Sequence, residues 1–166
     1  MAAKTKEVPV RGVVPIDQIF GDDEEDTKLL QAMAARAQEF VLSFSFCKSI
    51  RAAYFGDGCG GVVALFLFRI EPSEANVDEW LWVVFGDVPP AYLVIDDCKT
   101  PSQALEGYID EMSKWVSLAK KERTSKRVIP VNAPATPEYA EALEGRLKFL
   151  RDVMVPSFQT AETERA

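Results

Sequence analysis

Two stretches, Val62-Val-Ala-Leu-Phe-Leu-Phe68 and Trp80-Leu-Trp-Val-Val-Phe85, decide the fold. Both are rich in β-branched and aromatic residues and both are bounded by turn-forming ones, so they read as strands. An antiparallel strand with one wet face alternates apolar and polar positions. These two do not. Val62, Ala64, Phe66 and Phe68 share one face, while Val63, Leu65 and Leu67 share the other. Trp80, Trp82 and Val84 likewise oppose Leu81, Val83 and Phe85. The centre of the sheet is therefore expected to be dry on both sides. Either the chain's own helices and N-terminal arm cover both faces, or the second face is an interface, most simply that of a two-fold dimer.

Working outward, Ser49–Phe55 and Ala91–Ile95 supply the flanking strands. The connections, Gly56–Gly60, Glu71–Glu79 and Gly86–Pro90, are shorter than the roughly dozen residues of a parallel crossover, so neighbours pair antiparallel. The unit predicted is a four-stranded meander. Gly56-Asp-Gly-Cys-Gly60 reads as a glycine-rich hairpin turn, because a phosphate loop would lead into a helix and end in Gly-Lys-Ser/Thr. Pro89-Pro90, after Gly86 and Asp87, reads as a stiff turn, its cis or trans state open.

Ahead of the sheet, Leu29, Leu30, Met33, Ala37, Phe40, Val41 and Phe44 recur at helical spacing behind the acidic run Asp22–Asp26. Carboxylates there complement the positive end of the helix dipole. After the sheet, Thr100-Pro-Ser-Gln103 and Thr136-Pro-Glu138 each place an N-cap threonine before a proline. Apolar stripes follow: Leu105, Tyr108, Ile109, Met112, Trp115, Val116 and Ala119, then Tyr139, Leu143, Leu147, Leu150 and Met154. The order is α-β-β-β-β-α-α, an α+β fold. Residues 1–21 are expected to form an extended arm that packs on the rest of the chain, with room for one short strand, 22–158 one domain, and 159–166 a frayed polar tail.

The 166 residues suffice for one core-bearing domain. Histidine is absent, which removes imidazole acid–base chemistry, His-bound metals and Ser-His or Cys-His nucleophiles. The net charge of −7 opposes sequence-independent nucleic-acid binding. The longest apolar run, Val62–Phe68, is far short of a membrane span. Cys47, Cys59 and Cys98 are odd in number and widely spaced, as in a reduced, cytoplasmic chain. No cofactor motif and no metal-ligand spacing stands out.

The carboxylates carry the remaining chemistry. In a meander the first and third connections share an end of the sheet, which would bring Asp57 and Asp87 together near Tyr54 or Tyr92. Such a pair suits divalent-cation binding or acid–base catalysis; aspartate is equally an ordinary turn residue. Asp96 and Asp97 gather at the other end with Glu71, Glu74, Asp78 and Glu79, as a solvated acidic rim or a surface for a cation or basic partner. Lys114, Lys120, Lys121, Arg123, Lys126 and Arg127 form a basic patch against the single Glu122. That patch suits a helix C-terminus or the docking of an acidic partner or phosphate. Trp82, Asp87, Tyr92, Asp96 and Asp97 are the candidate contact residues of a non-catalytic protein-binding module. An enzyme or small-ligand binder using Asp57 and Asp87, and a structural homo-oligomer, are the alternatives.

The segment Trp80–Val94, with Asp96-Asp97 and Thr136-Pro-Glu-Tyr-Ala-Glu141, resembles a family of small uncharacterised bacterial proteins over residues 50–155. That resemblance implies no activity, cofactor or site. In size, acidity and architecture the chain is also similar to the immunity proteins that neutralise bacterial toxins, a likeness of architecture without a shared motif.

Overall fold

In the computed structural model, which describes residues 7–165, the two apolar strands lie at the centre of a five-stranded antiparallel sheet. Its strands are β1 (Val14–Pro15), β2 (Cys47–Cys59), β3 (Val63–Pro72), β4 (Trp80–Gly86) and β5 (Val88–Val94), paired in chain order. The α+β class is as the sequence predicts; the strand count is five, not four. The extra strand is a two-residue segment of the N-terminal arm, with Val14 opposite Phe55 and Pro15 opposite Tyr54. Such an element is too short to leave a periodic signal.

Two other boundaries differ. Gly56 and Gly58, read as a turn, lie inside β2, which pairs with β3 as far as Cys59–Val63. A Cβ at Gly58 would stand 2.8 Å from the Ala64 side chain and 2.9 Å from that of Leu30. Glycine there lets a helix approach the strand closely, which mimics a turn signal. Pro89 and Pro90 lie within β5, on the edge of the sheet, where a missing N–H removes no central ladder bond. The described peptide bonds are all trans.

Helix α1 (Glu24–Leu42) covers one face of the sheet, burying Leu30, Met33, Ala34, Ala37 and Val41 against Phe55, Phe66, Phe68, Ile70, Leu81 and Val83. Its start uses the acidic run as expected: Asp23 is the N-cap and accepts from the Asp26 N–H. Asp26 accepts in turn from Gly60 N–H at 2.6 Å, tying the helix to the β2–β3 turn. Leu29, assigned to the buried stripe, is instead exposed.

Helix α2 (Pro101–Ala119) covers the other face, against Val63, Leu65, Leu67, Trp82 and Val84. Thr100 and Thr136 cap as predicted, accepting from Gln103 N–H and Tyr139 N–H. Helix α3 (Pro137–Phe149) passes through a π turn at Leu150–Met154 into α4 (Val155–Arg165). The expected frayed tail is thus helical as far as Arg165; Ala166 is outside the described residues. The π turn ends two residues before the proline at position 156, and a widened turn of this kind accommodates a ring that an α-helix would reject. Past it, Phe158 is buried, and Glu162 accepts from both the N–H and the hydroxyl of Ser102 at 2.8 and 2.7 Å.

The arm does pack. Val8, Val10 and Val13 lie against the α2-side core, and Val14, Ile16 and Ile19 against the α1-side core. Residues 1–6 of that arm lie outside the described residues. Helices and arm together bury Val63–Phe68 completely within one chain. The dry second face therefore needs no second copy to cover it.

Candidate functional site

The predicted carboxylate pair is not brought together. Asp57 lies opposite Leu65, Leu65 lies opposite Val84, and Asp87 is three residues beyond Val84. At about 4.8 Å per strand spacing, the two backbones are separated by roughly 10 Å across the sheet and further along it. Their charged surroundings also differ. Asp87 faces Arg146 of α3 at 3.4 Å. Asp57 accepts from Gly58 N–H at 2.8 Å, and its charged neighbours are Arg165, Glu162 and Asp22. Burial, partly offset by the Gly58 hydrogen bond and Arg165, pushes the Asp57 carboxyl up to about 6.

The two tyrosines fall on opposite faces. Tyr54 packs beside Trp80 on the α2 side, at a ring separation of 6.1 Å. Tyr92, 38% exposed, stands edge-on to Phe44 and Phe46 at 5.1 and 5.2 Å on the α1 side. Trp82 is fully buried and donates its indole N–H to Cys98 O at 2.9 Å. As a contact residue it is therefore corrected: it anchors the turn after β5 and has no exposed surface for a partner. Asp96 and Asp97 are exposed on that turn. In the acidic rim nearby, Glu71 faces Arg51 and accepts from the Ser49 hydroxyl, and Glu79 pairs closely with Arg69. Burial raises the thiols of Cys47, Cys59 and Cys98, which keeps them protonated and poorly nucleophilic.

A concavity opens beside Asp87, alone among the site residues read from the sequence. It is a cleft of about 650 Å³ at the β5 edge. One wall is the β4–β5 turn with Val88, Pro89 and Pro90; another is the loop Pro130–Ala133; the third is α3, with Tyr139, Ala142, Leu143 and Arg146. Trp115 of α2 and Phe40 of α1 complete the lining. A second hollow, sharing Asp87, Val88, Ala142 and Arg146, extends it toward Phe149.

Local chemistry builds each wall. The β4–β5 turn has one residue between the paired Gly86 and Val88. Gly86 adopts φ +156°, and a Cβ there would come within 2.3 Å of Val62 O, so only glycine fits. Asp87 N–H closes the turn onto the same Val62 O at 2.9 Å. Tyr108 donates to Pro89 O at 2.6 Å, holding β5 against α2, and burial pushes its hydroxyl further up the scale.

On α3, the apolar spacing predicts Tyr139 in the buried stripe, yet it is 51% exposed. It begins a second stripe with Ala142, Arg146, Phe149 and Val153, spaced by threes and fours; Phe149 and Val153 are 46% and 48% exposed. That spacing is the one signal by which the sequence could have disclosed the cleft wall. Through Phe40, whose ring lies 5.1 Å from Phe44, the cleft reaches the Phe44–Phe46–Tyr92 cluster around the sheet edge. Asp87 and Tyr92 thus lie on one accessible surface. Comparison with protein-family models, with curated proteins and with solved structures finds no match to this chain.

Proposed function

We propose that this chain is a non-catalytic protein-binding module, acting on its partner as a regulator or inhibitor, and that its docking site is the β5-edge cleft. The observation that carries this reading is the lining. Trp115, Tyr139, three prolines and Leu143 surround one concavity whose charged members are Asp87 and Arg146, facing each other. Apolar concavities with few polar groups at the rim are where proteins seat an anchoring side chain of a partner. The free state of all three cysteines supports a reducing compartment, the cytoplasm. No helix among the described residues is long and apolar enough to cross a membrane.

Carboxylate catalysis has less support, because Asp57 and Asp87 occupy separate surroundings. Self-association through the sheet face has lost the observation that suggested it.

A photoreactive benzophenone side chain at Asn132, an exposed residue of the cleft loop, tests the reading. It should capture a discrete protein from the native extract, and the band should vanish when Ala142→Trp fills the cleft. The same label at Ala32, on the outer surface of α1, should capture nothing comparable. Equal capture from both positions, or none from Asn132, would end the proposal.

A further inference from the structure

We infer that the partner segment taken by this cleft is acidic and carries a bulky apolar anchor. The inference rests on the docking reading above and adds the chemistry of what docks. Strand addition is unavailable at the cleft. Pro89 and Pro90 present no N–H on the β5 edge, and the Pro89 carbonyl is already taken by Tyr108. Selection must therefore come from side chains and charge, not from backbone pairing.

The charge is one-sided. From Lys114 to Arg151 the chain holds nine Lys and Arg against four Glu, within a molecule of net charge −7. This segment comprises the end of α2, the loop, α3 and the first residues of the π turn; the loop and α3 supply two walls of the cleft. Lys120 pairs with Glu144 at 2.6 Å, and Lys114 with Glu111 at 2.7 Å. Lys121, Arg123, Lys126 and Arg127 are exposed and have no carboxylate partner among the described residues. In the chain they precede the cleft-lining Pro130 by three to nine residues. An acidic segment would meet complementary potential there, and a basic one would be repelled. The apolar floor of Trp115, Leu143 and the prolines calls for an aromatic or large aliphatic side chain between the acids. A nucleic acid is the less favoured polyanion, since the remainder of the molecule is strongly acidic.

The test selects dodecapeptides from a random phage-displayed library on the immobilised full chain. Enriched peptides should combine Asp or Glu with Trp, Phe or Leu. A fluorescent synthetic copy of the best one should bind at least tenfold more weakly to Ala142→Trp, which fills the cleft. It should also lose at least tenfold on Lys126→Glu/Arg127→Glu, and its affinity should fall with added salt. These positions are all exposed, and unchanged thermal melting confirms that the variants fold. Neutral or basic peptides whose binding Ala142→Trp abolishes would overturn the acidic assignment and leave the docking site standing. No enriched peptide, or binding indifferent to Ala142→Trp, would overturn both. A dodecameric polyuridine that binds in the cleft where no peptide does would reassign the site to nucleic acid.

Discussion

Asp57 shows how a single residue's environment sets a measurable pH response. Its carboxyl titrates near 6 in the folded chain, chiefly because burial disfavours the charged form. An unfolded aspartate titrates at about 3.9. Between these values the folded state holds more protons than the unfolded one, so stability falls as pH rises from about 4 to 6. Above 6 the full cost of the buried charge is present; below about 4 it is gone. Asp57→Asn removes the charge and keeps an oxygen that can accept from Gly58 N–H. The variant should be more stable by about 1 kcal/mol at about pH 7.5, a figure reduced for the group's partial contact with water. That gain should vanish near pH 4. Urea unfolding at several pH values checks it; equal stability of the two proteins at about pH 7.5 would mean the carboxylate is adequately solvated.

At the scale of elements, α4 is the least expected part of the fold and the most instructive. Its C-terminal half is polar, and beyond Phe158 it has no apolar stripe to hold it against the body of the molecule. The Glu162 carboxylate explains it, because it sits on the first turn of α2 and accepts twice from Ser102. There it meets an otherwise orphan backbone N–H and the positive end of a helix dipole. Glu162→Ala should cost about 1–2 kcal/mol. In hydrogen exchange, amides of Val155–Arg165 should lose protection while β3 keeps its own; an unchanged exchange pattern would show that Phe158 alone holds the helix. This contact spans 60 residues, which is why the sequence does not disclose it. The caps at Thr100 and Thr136 span three residues and were legible for the same reason in reverse. The cleft is not legible in the sequence because its walls come from α1, β4–β5, α2, a loop and α3, which only the tertiary fold brings together. Tyr139 fits either of two helical stripes by spacing alone, and only the packing of α3 on α2 chooses between them.

For the whole molecule, β3 is the element that makes two cores into one structure. Its alternate residues enter opposite cores: Val63, Leu65 and Leu67 on the α2 side, Ala64, Phe66 and Phe68 on the α1 side. The dryness of both faces, the feature most legible in Val62–Phe68, is therefore also the source of cooperativity. All three tryptophans belong to the α2-side core or pack against it. Phe66 belongs to the other core, between Phe55 and Phe68 at ring separations of 6.0 and 6.3 Å. Phe66→Ala thus perturbs one side of the sheet while tryptophan fluorescence reports the other. Deleting a fully buried phenylalanine costs about 3–5 kcal/mol. If β3 couples the cores, the denaturation midpoints from fluorescence and far-UV circular dichroism should coincide and shift together, the shift multiplied by the m-value accounting for that full amount. A fluorescence midpoint that stays at the wild-type value while the circular-dichroism transition moves would mean that the α1 layer unfolds on its own. The β3 backbone makes that outcome physically costly, since losing α1 would open Phe66 and Phe68 to water on a strand still paired on both edges.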